Sequence, residues 1–202
     1  MKRVGIELNN VLRNFNYQVL KYFKKDYDQS LDIDSIDDKK KVIGNVIQFP
    51  SKQDEFQFVY EDYPYELFGC AKTMEKNLGR DINKLLYDIT NIEDEQYEIK
   101  LFGLDEAGLS IQSSYFFASR YGLRVREMFF PESKTEVFDK CDVIVCADER
   151  LLVPDEIPEG KKMVVINRPD NKDIDIPEEK LAGKYDTLTD FITDFENVRK
   201  KF

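Results

Sequence analysis

No histidine occurs among the 202 residues. That absence excludes Ser-His and Cys-His nucleophile activation, imidazole metal ligation and histidine-based pH sensing. Cysteine is scarce: Cys70, Cys141 and Cys146 are odd in number and lack CxxC spacing. They predict reduced, mostly buried thiols rather than a disulfide framework. No apolar run approaches the length of a membrane span, and Met1-Lys2-Arg3 leads into a strand-like run rather than a signal peptide. The expectation is a soluble protein, intracellular in synthesis, with no membrane association. No block of lysine or arginine is long enough to form a basic patch, and a net charge of -10 opposes bulk affinity for nucleic acid. Internal repeats and low-complexity tails are also missing.

What is present suffices for a core. The chain is 42% hydrophobic and 13% aromatic, which is inconsistent with global disorder. Its length fits one sizeable domain or a core with an insertion. A strand is predicted at about 2–7, followed by a helix from about Val11 to Lys25 with Phe15, Val19, Leu20 and Phe23 at helical spacing. Residues 26–41 are highly charged and read as a solvated connector or short helix. The alternation at 42–50 and at 56–60, with Phe56, Phe58 and Tyr60 on one face, predicts two short strands. A long helix over about 66–89 follows, with Gly79 inside its apolar stripe. From residue 97 strands and helices alternate. Strands fall at 98–102, 123–130, 142–146 and 163–167. Helices fall at 109–121, with Gly122 as its C-cap, at 134–140, with Ser133 as its N-cap, and at 187–202. This alternation predicts an α/β, doubly wound parallel sheet. The interval 26–96 breaks it and is too long for a loop. The expected domains are a core of 1–25 and 97–202 and an inserted α+β cap of 26–96.

The first strand ends abruptly in Glu7-Leu8-Asn9-Asn10, so polar side chains arrive at the carboxyl end of the sheet, where open α/β folds bind ligands. Those residues also admit a structural use, Asn9 or Asn10 capping the next helix.

In this order of elements, and in the frame Val4-Gly5-Ile6-Glu7-Leu8-Asn9-Asn10-Val11-Leu12, the chain resembles the haloacid dehalogenase (HAD) superfamily, above all its 5′-nucleotidase-type phosphatases. The likeness implies a HAD-like Rossmannoid core with a cap after the first strand and helix. Glu7 stands where the family has its aspartate nucleophile, and Asn9 where it has its acid/base aspartate. Gly103 stands where a serine or threonine holds the phosphoryl group. Lys134 matches the family lysine, and Asp148 falls one position late for the metal-binding acidic pair. Val164–Asn171 resembles the last core strand and its Asn-Arg-Pro exit. Glutamate moves the attacking oxygen, asparagine has no proton to exchange, and glycine offers no hydroxyl. These departures together imply an inactive fold with vestigial site positions, no catalytic residue, no metal site and no cofactor. Magnesium enters only if the alternative holds, a divergent Mg-dependent phosphatase. A phosphate- or nucleotide-sensing pseudoenzyme is a third reading, and another α/β fold a fourth.

Phe56, Phe58, Tyr60, Tyr63, Tyr65 and Phe68 crowd one short stretch, and Phe202 ends the chain. They are candidate interface residues, since aromatic rings are enriched at interface cores; the alternatives are a small cap core and packing of Phe202 on the protein's own sheet. Finally, the opening Lys2–Asn14 and the Lys/Asp/Asn/Ile-rich style resemble HAD-like proteins of crAss-like tailed bacteriophages. That likeness implies a virion component of the portal and tail region, made in the host cytoplasm, with protein partners in an assembly, a homo-oligomeric ring among the options.

Overall fold

The computed structural model describes residues 1–33, 46–90 and 97–202. Strands β1 (Lys2–Glu7), β2 (Tyr97–Phe102), β3 (Glu127–Phe129), β4 (Val143–Cys146), β5 (Lys162–Ile166) and β6 (Leu181–Tyr185) form one sheet in the order β3-β2-β1-β4-β5-β6. Every neighbouring pair is parallel. The architecture is therefore α/β and Rossmann-like, with β1 in the middle and its order reversal between β1 and β4.

The sheet is buried on both faces, as its near-continuous apolar strands require. Side chains alternate across it with a period of two. Val4, Ile6, Leu101, Val143 and Val145 face one layer, made by α3 (Leu78–Thr90), α4 (Leu109–Arg120), α6 (Leu188–Thr193) and α7 (Phe195–Val198). Phe102, Ile144, Cys146 and Val165 face the other, where α5 (Lys134–Lys140) contributes Val137 and Phe138. Gly5 faces that second side, and a Cβ there would lie 2.5 Å from the Cys141 sulfur, so glycine is required for the approach.

A third apolar cluster stands apart from the sheet. It joins Val19, Leu20 and Phe23 of α1 (Phe15–Asp26) to Ile47, Phe58, Val59, Leu67 and Phe68. The interval 26–96 thus divides between two cores: its 46–70 part packs with α1, while α3 packs on the sheet.

Several local expectations are corrected. The alternation at 56–60 is helical: α2 (Lys52–Phe56) runs into a π-helical turn over Gln57–Asp62, and a second covers Tyr65–Gly69. Residues 46–50 form no strand, and 42–45 lie outside the described residues. The helix expected from Glu66 starts only at Leu78, after Asn77 adopts φ +66. α1 begins at Phe15 because Asn14, not Asn9 or Asn10, caps it by accepting from the Tyr17 N–H. The strand expected over 123–130 shortens to Glu127–Phe129, and the C-terminal helix breaks at Asp194. Strand β6, half-exposed and rich in small residues, carries no pattern that predicts it. Ser133 does cap α5, accepting from the Glu136 N–H, and Gly122 does follow α4 at φ +62. No described helix is long and apolar enough to cross a membrane.

Candidate functional site at the switch point of the sheet

The carboxyl ends of β1, β4 and β5 converge on a cleft of about 270 Å³ lined by Glu7, Asn9, Asn10, Phe15, Asn16, Asp148, Arg150, Arg168 and Asp170, among others. It lies at the order reversal, where the strand connections diverge and leave a crevice. Three of the expected positions, Glu7, Asn9 and Asp148, meet there. Gly103 does not line it, and neither does Lys134, whose ammonium pairs with Glu156 instead.

Glu7 is 3% exposed. Its Oε2 accepts from the backbone N–H groups of Ala147 at 2.7 Å and Asp148 at 3.1 Å, tying β1 to the loop after β4. Burial pushes its carboxyl up to about 8, helped by the negative Asp148 and opposed by the two N–H donors. The shift favours the protonated form of Glu7 over the carboxylate.

Asp148 is occupied by Arg150, whose Nε lies 3.0 Å from both carboxylate oxygens. The same guanidinium also pairs with Asp105. Arg168 donates to the carbonyls of Asn10 at 2.9 Å, Asn167 at 2.7 Å and Asp186 at 3.1 Å. Asn171 completes the scaffold: its amide donates to the carbonyls of Ala147 and Ile166 and accepts from the Arg168 N–H. Asp170 is raised by burial, with Asp148 adding to the effect.

Behind the cleft lies a buried ion pair that the sequence did not announce. Arg13 and Glu106 both have side chains at 0% exposure and pair directly. Arg13 also donates to Asn9 Oδ1 at 2.7 Å, Ser114 Oγ at 2.5 Å and the Phe68 carbonyl at 3.2 Å. Its guanidinium lies over the Phe68 ring at 4.7 Å. Ser114 in turn donates to Glu106. Burial pushes the Glu106 carboxyl up and the Arg13 guanidinium down, while their mutual attraction opposes both. An arginine keeps its proton under such pressure, so the pair is ionic. Among the described residues no buried side-chain polar atom lacks a partner.

The Arg13 network reaches two of the expected site positions. Asn9 is bound to Arg13, and so serves it as an acceptor. Gly103 is packed under Glu106: a Cβ at 103 would overlap the Glu106 carboxylate. No hydroxyl side chain fits at that strand end while Glu106 is in place.

A magnesium ion wants several uncommitted carboxylate oxygens. Glu7 already accepts two backbone N–H groups and Asp148 is engaged by Arg150, while Glu149 and Asp170 also line the cleft. Among the described residues no group of three acids or cysteines is arranged around a common point.

The aromatic candidates separate by burial. Phe58 and Phe68 are buried in the third cluster, and Tyr60 and Tyr63 are partly buried. Phe202 packs against Phe195 and Tyr97, with ring centroids 6.1 and 6.3 Å apart. Phe56 and Tyr65 remain exposed, at 50% and 49%. Sequence reasoning missed Arg13, Glu106 and Asn171, because a buried charge or amide reads like a surface one until its partner is known. The chain matches no family model and no curated protein.

Proposed function

We propose that this chain is a HAD-like protein whose former catalytic site has become structural, and that it works as an interaction component of a larger assembly. The observation that carries this reading is the Glu106 carboxylate packed on Gly103 and paired with Arg13. In the frame of the resemblance, that is the position from which a hydroxyl holds a phosphoryl group. An internal carboxylate there repels phosphate and leaves the cradle full. Glu7, tied to two backbone N–H groups, and the engaged Asp148 support the same conclusion from two further parts of the mechanism.

A phosphate-sensing use of the cleft has less support. Both of its arginines are engaged within the chain, Arg150 by carboxylates and Arg168 by carbonyls. The interval 26–96 is proposed as the cap, with its 46–70 part as the recognition surface. The virion role in a tailed phage rests on the resemblance of the opening segment, and it remains our most concrete form of the proposal.

A phosphatase assay with magnesium and a panel of nucleotides tests the central claim. Wild type and Glu7→Gln are expected to match the buffer blank, and calorimetry with the same nucleotides at millimolar concentration is expected to show no heat. Turnover by the wild type that Glu7→Gln abolishes would overturn the reading. Co-sedimentation with purified phage particles tests the virion form; a protein absent from the particles removes that form alone.

A further inference from the structure

The segment 53–71 holds five carboxylates, Asp54, Glu55, Glu61, Asp62 and Glu66, between the exposed Lys52 and Lys72 that flank it. Glu55, Glu61 and Asp62 are exposed. Among the described residues none of Glu55, Glu61, Asp62 and Glu66 forms an ion pair. Interleaved with them are the exposed rings of Phe56 and Tyr65. Phe56 pairs with Tyr60 at 5.0 Å between centroids, and Tyr65 with Phe116 of α4 at 5.3 Å. On the same helix Tyr115 and Phe116 are 52% and 42% exposed. Arg120, at the end of α4, is turned toward the carbonyls of Gly69 and Ala71 and stacks on Tyr121.

Glu55 lies by the Phe56–Tyr60 pair and Glu66 by Tyr65, so each exposed ring has a carboxylate beside it. We infer that these ring-and-carboxylate pairs dock a lysine- or arginine-bearing segment of another protein. Charge decides the occupant. A purely apolar partner would strip water from carboxylates and give them nothing in return. An acidic partner or a nucleic acid would be repelled. A guanidinium or ammonium instead meets both features at once, pairing with a rim carboxylate while its flat face or stem lies on a ring. Arginine and aromatic residues are the types enriched at such interface centres. The inference rests on the reading of the chain as an interaction component and names the chemistry of its partner.

Fluorescence anisotropy of the full chain with three labelled peptides of equal length provides the test. The peptides alternate leucine with arginine, with serine or with glutamate. The arginine peptide is expected to bind, and the serine and glutamate peptides are not. The triple variant Glu55→Gln, Glu61→Gln, Asp62→Asn is expected to weaken binding by about tenfold. A control triple variant far from the patch in sequence, Glu159→Gln, Glu178→Gln, Glu179→Gln, is expected to leave it unchanged. Replacement of Phe56 and Tyr65 by serine is expected to weaken it comparably. Equal losses in the two charge variants would reduce the effect to bulk net charge and overturn the inference. So would tight binding of the serine peptide, which marks an apolar partner. Nucleotide turnover is read in the separate phosphatase assay, so failure of the inactive reading and failure of this surface are distinguishable.

Discussion

At the scale of single residues, the energetics concentrate in buried charge. Removing one partner of a buried pair costs more than the pair itself contributes, because the survivor stays charged and desolvated. Glu106→Ala is therefore expected to destabilise the fold by about 3–5 kcal/mol, read from urea denaturation. The double variant Arg13→Met, Glu106→Leu is expected to cost less than Glu106→Ala alone; an equal or larger loss would mean that the pair itself supplies the stability. Glu7 makes a pH prediction. Its carboxyl is raised from 4.5 to about 8 on folding, so between those values the folded chain holds a proton that the unfolded chain has released. Its contribution is fully favourable below pH 4.5, declines as pH rises and is gone above 8. The decline is at most about 1.36 kcal/mol per pH unit. Chemical denaturation from pH 5 to 8 is expected to show a steeper fall for wild type than for Glu7→Gln, and parallel curves would refute the assignment.

At the scale of elements, Gly79 shows how a local preference loses to packing. It lies in the first turn of α3, where alanine in place of glycine ordinarily gains up to about 1 kcal/mol. Here a Cβ would overlap the carbonyl oxygen of Tyr121. Nearby, Asn83 clasps the same turn, donating to the Gly122 carbonyl and accepting from the Arg124 N–H. Gly79→Ala is therefore expected to lower the melting temperature, against the helical trend. The same contest explains what the sequence made legible. Strands β1, β2, β4 and β5 announce themselves by apolar runs buried on both faces, and α5 by its serine cap. The turn at Gln57–Asp62 deceives, because Phe56, Phe58 and Tyr60 alternate. Helical winding places Phe58 inside and leaves Phe56 out, and the i to i+5 pair Phe58–Tyr63 is in ring contact at 5.1 Å. Strand β6 was illegible for the opposite reason, since Ala182 and Gly183 give an edge strand little apolar signal. In the cleft, Glu7, Asn9 and Asp148 were readable because strand ends fix their position. Arg13 and Glu106 were not, because only the tertiary fold brings them together.

At the scale of the whole molecule, the two sides of the sheet and the third cluster differ in how much holds them. β1 and β4 lie at the centre with partners on both edges, whereas β3 and β6 are edge strands. Hydrogen exchange is expected to be slowest in β1 and β4, faster in the edges and intermediate in 52–69, where the third cluster is smaller. Protection in 52–69 equal to that of β1 would mean that the Arg13 network makes the two cores one cooperative unit.

The interlock of Gly103, Glu106 and Arg13 also limits which single substitutions the chain accepts. A serine at 103 meets the Glu106 carboxylate, so that side chain must shift or shrink. Shrinking it strands Arg13 without its counter-charge, and shifting it breaks the same pair. The three positions are therefore coupled, and selection acting one substitution at a time meets them as a unit.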